Sequence, residues 1–585
     1  MTGFAPDQQN YLKGFMAGVT ARSSGYGPLG AKSPSAEPAT SDLELLAQDK
    51  ALAGGGKLTA EEQAKRKNRP LDRWDTIVSQ AEAGVFPKGT DVFLTKYEGL
   101  FYVAPNQNAY MCRLRIPGGI LSAHQFAGIA DLADDCAGGY ADVTTRANLQ
   151  LREIPAGKPI EVLMRLTELG ITARGSGADN IRNITGSPTA GIDRQELLDT
   201  RPHARSLHHF ILHHRELYGL PRKFNIAFDG GGAIPVLEDT NDIAFTAVEV
   251  GEGFGVAPGV YYRLALGGIT GHRDFARPTG VIVKPEDANA VCYAILRVFI
   301  DNGDRTNRAK ARLKYVLDAW GFDRFLAETE KVLGRTLTRV PDEALAPPRP
   351  QQRHGHIGVH PQKQDGLHYI GIVCPVGRLT SARVRDLAEI AQRFGSGTIR
   401  LTVWQNLLIS DVPEARVAEA VAAIEALGLG VSASALRSGL VACTGNAGCR
   451  FAASNTKRHG ADLVDWLEDR IAVDRPINIH LTGCHNSCAQ HYIADIGLLG
   501  AKVDRGEDTV EGYDLHVGGG AGPDQAIGRL IVPAIAAVEL PPRVLALLRA
   551  WMTERADGEG FQAWSARHSD EALAQISTAR IEDAA

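Results

Sequence analysis

Strand-like and helix-like hydrophobic patterns follow one another along this chain. The apolar segment AYMCRLRIPGGIL, from Ala109, predicts a strand. Ser122 and Gln125 then form a capping box, which predicts the start of an amphipathic helix. A counterpart helix is predicted over 381–394, and a further helix is predicted from one apolar stripe formed by Val417, Val421, Ile424 and Leu427. Strands and helices in this order indicate two-layer α+β modules.

The same blocks of sequence occur twice, in the same order. AYMCRLRIPGGIL is matched by HYIGIVCPVGRLT from His368, a shift of 259 residues. DVTTRANLQL from Asp142 is matched by RLTVWQNLLI from Arg400, and three further pairs follow at shifts of 251 to 259 residues. Chance similarity between short strands is the alternative. We predict an internal duplication whose halves pair about a pseudo-twofold axis and share a crevice suited to a large cofactor.

Two breaks in composition divide the chain. Ser23 to Ser41 is rich in Gly, Ser, Pro and Ala, as in a linker or loosely held arm. Pro341 to Arg353 contains PPRPQQR, which stiffens and exposes the backbone. Together with the duplication, these breaks predict an N-terminal arm and two modules in each half, with boundaries at 1–75, 76–155, 156–345, 346–430 and 431–585.

The bulk properties exclude several classes of function. The net charge of −5 argues against a nucleic-acid partner, and no apolar run reaches the length of about 18 residues that a membrane span needs. The first residues, MTGFAPDQQN, lack the basic and apolar segments of a secretory signal. We therefore expect a cytoplasmic protein, without a membrane or nucleic-acid partner, that acts as a monomer.

Four of the eight cysteines form two close pairs in one stretch of the chain. CTGNAGC contains Cys443 and Cys449, and TGCHNSC contains Cys484 and Cys488. Clustered thiols in a chain without an export signal usually bind a metal rather than form disulfides. Four thiolates from two adjacent loops suit a [4Fe–4S] cluster.

Zinc and unligated thiols are the alternatives for these cysteines. Structural zinc pairs are usually separated by two to four residues, whereas five residues separate the first pair here. A thiol without a metal also occurs in protein cores, because free cysteine packs like a small hydrophobic residue. That last interpretation is favoured for the four scattered cysteines, Cys112, Cys136, Cys292 and Cys374.

Cations and amides are predicted to share faces of neighbouring strands. In TTRANLQLRE, strand alternation places four polar side chains on one face: Arg146, Asn148, Gln150 and Arg152. Arg113 and Arg115 share a face of the preceding strand, and Arg182, Lys223 and Asn225 follow further along the chain. A solvated strand face explains any one of these equally well. As a group, they suit an anion held by guanidinium forks and a lysine that can transfer a proton.

The two halves differ in a way that indicates divided roles. The loop from Asn183 to Pro188 has no cysteine where its counterpart has Cys443. The first half is therefore predicted to bind an anion and the second to hold the cluster. His485 and His491 flank the second cysteine pair and are candidates for tuning it by hydrogen bonding. The glycine-rich runs lack the context of a dinucleotide site, so a separate protein is expected to supply electrons.

These motifs make the chain resemble the siroheme- and [4Fe–4S]-containing nitrite and sulfite reductases. The resemblance covers roughly residues 75–540, and its marks are CTGNAGC, TGCHNSCAQ, ADVTTRANLQLRE, DNIRNITGSPTAGID, DTRP, LPRKFN and HPQKQ. It implies a three-lobed α+β fold, in which each pseudo-twofold-related half joins a ferredoxin-like module to a larger binding module. It also implies that siroheme and a [4Fe–4S] cluster are the cofactors.

The resemblance assigns roles to individual residues. Cys443, Cys449, Cys484 and Cys488 match the cluster ligands, and Cys488 also matches the thiolate that bridges the cluster to the siroheme iron. Siroheme contacts are implied for Arg115, Arg146, Asn148, Gln150, Arg152, Arg400 and Asn406. The catalytic pocket in which the oxyanion binds is implied for Arg113, Arg182, Lys223 and Asn225.

Nitrite and sulfite are the competing substrates. In this family the residue two positions after the pocket lysine is usually Asn in nitrite reductases and Lys in sulfite reductases, and here it is Asn225. Because nitrite carries less charge than sulfite, one cation fewer favours six-electron reduction of nitrite to ammonium, with reduced ferredoxin as donor. Sulfite reduction is the alternative, and a zinc-stabilised binding module is a remote one. Lys457, Arg458 and His459 are candidates for docking the donor, with a solvated helix end as the other interpretation.

Overall fold

The computed structural model describes residues 43–578, so the predicted linker from Ser23 to Ser41 lies outside the described residues. The first part of the described chain contains α1 (Leu43–Ala53), α2 (Ala60–Lys67), α3 (Trp74–Glu82), α4 (Asp91–Leu94), β1 (Leu100–Val103), β2 (Ala109–Arg113), β3 (Ile120–Ser122), α5 (Ala123–Cys136), β4 (Tyr140–Val143), β5 (Leu149–Ile154) and α6 (Pro159–Glu168). The second part contains β6 (Thr185–Gly186), α7 (Arg201–His213), β7 (Ile226–Asp229), β8 (Ile243–Val250), β9 (Gly259–Leu266), β10 (Arg277–Val283), α8 (Ala288–Asn302), α9 (Leu313–Trp320), α10 (Phe322–Leu333) and β11 (Thr338–Arg339).

The remaining two parts repeat this plan. The third part contains β12 (Gly358–Pro361), β13 (Leu367–Ile372), β14 (Arg378–Thr380), α11 (Ser381–Phe394), β15 (Thr398–Leu401), β16 (Leu407–Pro413) and α12 (Val417–Glu425). The fourth part contains β17 (Leu440–Ala442), α13 (Thr456–Glu468), β18 (Ile479–Thr482), β19 (Ile496–Arg505), β20 (Asp508–Val517), β21 (Arg529–Ala536), α14 (Leu540–Glu554), α15 (Phe561–Ala566) and α16 (Asp570–Thr578). The predicted internal duplication is confirmed.

Each half gives one strand to the smaller sheet of the other half. The first of these sheets has the order β1-β2-β5-β4-β14 and the second the order β12-β13-β16-β15-β3. In the first sheet Arg378 of β14 lies opposite Asp142 of β4, and in the second Ser122 of β3 lies opposite Thr398 of β15. This exchange ties the halves together through main-chain hydrogen bonds, so the crevice between them has fixed walls.

The two larger sheets share a mixed topology. One has the order β11-β10-β9-β8-β7-β6 and the other the order β17-β18-β19-β20-β21. In each sheet the first three strands along the chain are parallel and the later ones pair antiparallel. Loops that leave adjacent parallel strands in the same direction meet at one edge of the sheet. That edge carries the functional loops of each half.

Three separate hydrophobic cores give the molecule three lobes. The central core joins both smaller sheets and contains Leu151 of β5 and Ile399 of β15. A second core is built on β7 and β8, around Phe228 and Phe245, and a third lies around Trp551. The predicted three-lobed α+β architecture is confirmed. Among the described helices, none combines the length and apolar character that a membrane crossing needs.

The local patterns explain the helices of the central lobe. The Ser122 hydroxyl accepts from the Gln125 amide at 3.2 Å and the Gln125 side chain accepts from the Ser122 amide at 2.9 Å, so the predicted capping box is present. The apolar stripe of α12 packs against the central core through Val417, Val421 and Ile424. Burial of one apolar stripe is what holds such amphipathic helices in place.

Two local expectations differ from the structure. The strand predicted from TTRANLQLRE begins at Leu149, because Ala147 has a φ of 45° and ends the extended backbone. Arg146 therefore lies in the preceding turn and not on the strand face. Residues 43–75 of the predicted arm contain α1, α2 and the start of α3, and α1 packs against α8 of the second lobe. This part of the arm is consequently integrated with the fold.

Candidate active site

The two cysteine pairs lie on loops that leave neighbouring parallel strands. Cys443 and Cys449 follow β17, Cys484 and Cys488 follow β18, and Ala442 lies opposite Leu481 in the parallel register. The amide of Cys443 donates to the Leu481 carbonyl at 3.0 Å, which fixes the two loops side by side. The quartet recognised in the sequence therefore converges because adjacent parallel strands end at the same edge.

The four sulfurs repel one another as thiolates. Burial, followed by the charge of Cys443, raises the pKa of the Cys488 thiol to about 11, and burial with the charges of Cys449 and Cys443 raises the pKa of Cys484. Ionised sulfurs at such a site need a bound cationic centre to compensate them. Within the described residues, no three His, Cys, Asp or Glu side chains are close enough to share one metal ion. A [4Fe–4S] cluster takes one thiolate for each iron.

Neighbouring donors prepare the cysteine loops for negative charge. The Gly483 amide donates to Cys443 Sγ at 3.2 Å, and the Asn486 side chain donates to Cys484 Sγ at 3.5 Å. A side chain at Gly483 would place its Cβ 2.5 Å from that of Ala452, so only glycine allows this close approach. Such hydrogen bonds to sulfur tune the potential of a cluster. Nothing in the local sequence singles out Asn486 beyond its place between two cysteines.

Three predicted catalytic cations converge near Cys488. The pKa of Arg113 is lowered to about 10, first by burial, with the Cys488 charge opposing and the Arg152 charge adding to the effect. Burial and the charge of Arg113 lower the pKa of Arg182. Burial and the charge of Arg312 lower the pKa of Lys223 to about 7, against the charge of Cys488. Cations that influence one another this strongly form a site for an anion.

These groups line a deep cleft. Cys488 is exposed to solvent, and Arg113, Arg182 and Lys223 each keep part of their surface accessible. Burial is nevertheless the largest cause of all four pKa shifts. Side chains that are both surrounded by protein and reachable by solvent lie on the walls and floor of a cleft. Small anions are concentrated in such a place by the field of the cations.

Asn225 lies beside Lys223 in an extended segment. Phe224, between them, is fully buried in the second core, so alternation turns Lys223 and Asn225 to the opposite side, toward the cleft. The Asn225 amide donates to Asp242 Oδ2 at 2.8 Å, and Asp242 forms a buried ion pair with Arg312 at 2.7 Å. Sequence reasoning missed Asp242 and Arg312, because nothing in their local sequence marks them as neighbours of LPRKFN.

Several buried guanidinium donors have no hydrogen-bond partner in the described protein. Among the predicted site residues they are Nε and Nη2 of Arg115, Nε of Arg146, Nε of Arg152 and Nη1 of Arg182. The other donors of Arg146 bind the Asn241 side chain at 3.0 Å and the Asn183 carbonyl at 2.8 Å. Thr145, next to it, donates to the Cys488 carbonyl at 2.9 Å, so this turn borders the cysteine loop. Free donors beside a thiolate fit a cofactor that carries carboxylates.

Arg152 contacts the cysteine loop directly. Its Nη1 donates to the Gly448 carbonyl at 3.1 Å, and its Nη2 donates to Thr444 at 2.7 Å and to the Gln150 side chain at 2.9 Å. Its Nε lies 3.2 Å from Asp142. The shared strand face of Gln150 and Arg152 agrees with the alternation. Arg152 thus joins the strand face of the first half to the cysteine loop of the second.

Three other predicted cofactor contacts have main-chain hydrogen bonds within the protein. Arg400 donates from Nη1 to the carbonyls of Pro188 and Ala190, at 3.1 and 2.7 Å, in the loop that corresponds to the cysteine loop in the other half. Asn148 donates to the Leu114 carbonyl, and Asn406 accepts from the Cys374 amide at 3.0 Å. The paired halves explain the position of Arg400, because its strand, β15, lies beside β3 of the first half.

The surface near the first cysteine pair also differs from expectation. Lys457 is buried, 3.8 Å from Asp142 and bonded to the Val376 carbonyl, so it cannot dock an electron donor. Arg458 is exposed, and His459 bonds the Tyr513 hydroxyl at 2.9 Å. His491 is buried and bonds the Ser487 hydroxyl at 3.0 Å, whereas His485 is exposed.

A cysteine quartet beside a cationic cleft, in a duplicated α+β scaffold, defines an iron–sulfur oxidoreductase that acts on a small anion. The model of the nitrite and sulphite reductase 4Fe-4S domain matches residues 177–337 and 433–569. The model of the nitrite/sulfite reductase ferredoxin-like half domain matches residues 103–169 and 360–427. The chain belongs to the nitrite and sulfite reductase family. The predicted family and cofactors, siroheme and a [4Fe–4S] cluster, are confirmed.

Individual relatives agree with this assignment. The ferredoxin–nitrite reductase of Synechococcus elongatus is 38% identical over 79% of this chain and 89% of its own length. The sulfite reductase [ferredoxin] 1 of Mycolicibacterium paratuberculosis is 33% identical over 86% of this chain and 88% of its own. The structure of the Mycobacterium tuberculosis NirA protein superposes with a TM-score of 0.82 at 30% identity, covering 89% of this chain and 99% of that one.

Proposed function

We propose that this enzyme reduces nitrite to ammonium with six electrons from a reduced ferredoxin. The observation that carries the proposal is Asn225, a neutral side chain in the cleft position where a fourth cation would favour a dianion. Nitrite, a monoanion, would then bind beside three basic side chains, those of Arg113, Arg182 and Lys223. The relatives named ferredoxin–nitrite reductases support the same substrate and the same donor.

The cofactors fit the residues that surround the cleft. The four cysteines would hold the cluster, with Cys488 nearest the cations, and the free donors of Arg115 and Arg146 would bind siroheme carboxylates. When bound, the siroheme and [4Fe–4S] cluster would supply single-electron reduction to an anion held in the cleft.

The chain's own residues bind the anion and deliver protons. Arg113 and Arg182 hold the oxygens of nitrite by guanidinium hydrogen bonds. Lys223, with its pKa lowered to about 7, carries a proton that it can release near neutral pH. Conversion of nitrite to ammonium consumes six electrons and eight protons and releases two waters. The lysine is the group in the cleft best suited to pass those protons, and the cleft's solvent access lets it be reprotonated.

We infer that the donor docks where the cysteine loop reaches the surface. Phe451, two residues after Cys449, is 60% exposed, and the Arg450 guanidinium lies 4.8 Å from its ring centroid. Arg458 adds a second exposed cation nearby in the sequence. An acidic electron carrier is attracted to such a face despite the net negative charge of the molecule.

Purified holoenzyme tests the proposal directly. With reduced ferredoxin, nitrite consumption and ammonium formation are measured beside sulfite consumption and sulfide formation at equal concentrations. We expect kcat/KM for nitrite to exceed that for sulfite by about tenfold or more, a difference of roughly 1.4 kcal/mol. The Lys223→Met variant, checked for unchanged iron and siroheme content, serves as the control for chemistry in the cleft. A higher kcat/KM for sulfite would overturn the proposed substrate.

A further inference from the structure

The N-terminal helices contain a fully buried ion cluster that no catalytic role explains. Nζ of Lys65, in α2, lies 2.5 Å from Glu62 and 2.9 Å from Glu44, and its side chain is 0% exposed. Arg305 completes the group from the second lobe, 2.8 Å from Glu62. Helices α1 and α2 precede every residue that the family models match, so the cluster joins residues before those matches to Arg305 within one of them.

The cluster extends to Asp179, a carboxylate three residues before the catalytic Arg182. The Asp179 side chain is 0% exposed and lies 3.9 Å from Lys65. The Arg308 guanidinium donates to both Asp179 oxygens, at 2.8 and 2.9 Å, and also forms an ion pair with Glu61 of α2 at 3.0 Å. Asp179 therefore joins the N-terminal helices to the loop that carries Arg182.

The same lysine holds the segment that carries Lys223. Lys65 Nζ donates to the Leu220 carbonyl at 2.9 Å, three residues before Lys223. Phe224 then pairs with the Arg182 loop, since it donates to the Asn180 carbonyl at 3.0 Å and accepts from the Arg182 amide at 2.8 Å. One ammonium group thus contacts the segments that lead to both catalytic cations, and main-chain hydrogen bonds of Phe224 pair those two segments.

Electrostatics explain why the cluster stays ionised. Burial acts to lower the pKa of Lys65, but the charges of Glu44, Glu62 and Asp179 outweigh it and the pKa is raised. Burial acts to raise the pKa of Glu62, but Lys65 and Arg305 outweigh it and the pKa is lowered. Buried ion pairs of this kind add little net stability compared with apolar packing, whereas their directional bonds fix one arrangement. A positional role accounts for the network better than a stabilising one.

We propose that Lys65, with Asp179 and Arg308, is a positioning device that sets Arg182 and Lys223 for the anion. The inference rests on the proposed function of the cleft. Loss of the Lys65 charge would free the Leu220 carbonyl and leave Asp179 to Arg308 alone, so both catalytic segments would shift. Displacements of about 1 Å at reacting groups cost up to about a hundredfold in rate.

The test compares Lys65→Met with Arg66→Met in the full-length holoenzyme. Arg66 is the next residue of the same helix, but its ion pair with Asp49 is on the surface, so it is the matched control. Nitrite affinity is measured by optical titration of the bound cofactor, and KM and kcat are measured separately. We expect Lys65→Met to raise the Kd and KM for nitrite about tenfold with unchanged cofactor content and ferredoxin KM, and Arg66→Met to stay within about twofold.

A second variant and a second measurement keep the inference testable if Lys65→Met does not fold. Arg308 is partly exposed, and Arg308→Gln removes its ion pair with Asp179. Amide hydrogen exchange of residues 177–182 and 220–225 then reports how firmly the two catalytic segments are held, without any turnover. Faster exchange in both segments, with weaker nitrite binding, is the expected result. Unchanged exchange and nitrite affinity in the folded variants would overturn the positioning role. Wild-type enzyme that binds and reduces only sulfite would overturn the proposed substrate instead, and the sulfite Kd of the variants would then decide the positioning role.

Discussion

Replacement of Arg312 by methionine is expected to move the pH at which the enzyme loses activity. Lys223 has a pKa lowered to about 7, first by burial and then by the Arg312 charge. Arg312 is itself buried and paired with Asp242 at 2.7 Å. The variant removes a repelling cation and leaves a carboxylate without its partner. Both changes favour the protonated lysine, so both raise the pKa of Lys223.

The sign and size of the effect follow from the protonation of Lys223. The lysine is charged below its pKa and neutral above it, so kcat/KM for nitrite is expected to be constant below about pH 7. Above that pH it falls about tenfold for each unit, because only the protonated fraction acts. A single nearby charge shifts a pKa by about one to three units. In Arg312→Met the descending limb of the pH profile, in which kcat/KM falls, therefore moves to higher pH by about that amount.

The assay is the pH profile of kcat/KM for nitrite, which reports the free enzyme. Lys310→Met, which removes an exposed cation two residues away, is the control and should keep the wild-type limb. The double variant Arg312→Met with Asp242→Asn removes both charges, and its limb should lie between those of wild type and the single variant. If wild type and Arg312→Met, both with full cofactor content, lose activity at the same pH, then Lys223 is not the titrating group.

Three further predictions concern the cluster, the substrate and the joint between the halves. Cys488→Ser should abolish nitrite reduction because one of the four thiolates is lost, and any retained six-electron turnover would refute its assignment as a ligand. Asn225→Lys should shift the ratio of kcat/KM for nitrite and sulfite toward sulfite by about tenfold or more, since an added cation favours a dianion; an unchanged ratio would contradict this. Asp142→Asn leaves Arg152, Arg378 and Lys457 without their carboxylate partner. Urea denaturation should therefore show that the free energy of unfolding falls by about 3–5 kcal/mol. These cations outweigh burial and lower the pKa of Asp142 to about 2. The contribution of Asp142 to stability is therefore present above about pH 4 and disappears as the pH falls toward 2. A difference in stability between wild type and variant that persists at pH 2 would argue against this.

The cysteine quartet was predictable because the sequence contains both its chemistry and its geometry. Two short motifs each end a strand, and the strands prove to be parallel neighbours. The cleft cations were predictable for a similar reason, since alternation around Phe224 already separates Lys223 and Asn225 from the core. The duplication was visible as repeated blocks, although the exchange of β3 and β14 between the sheets was not. Which strand completes a sheet depends on long-range packing, and no local pattern records it.

The sequence by itself determined which residue types the site contains and which half carries the thiols, because composition and periodicity are local properties. Only the tertiary structure decided what the long side chains touch. Arg152 meets Gly448 from 296 residues away, Arg400 turns to Pro188 in the other half, and Lys457 is buried instead of facing a partner. Each of these charged groups stands at the end of a long, flexible side chain, so it binds the groups that the folded chain places near it. Their roles therefore depend on how distant segments pack.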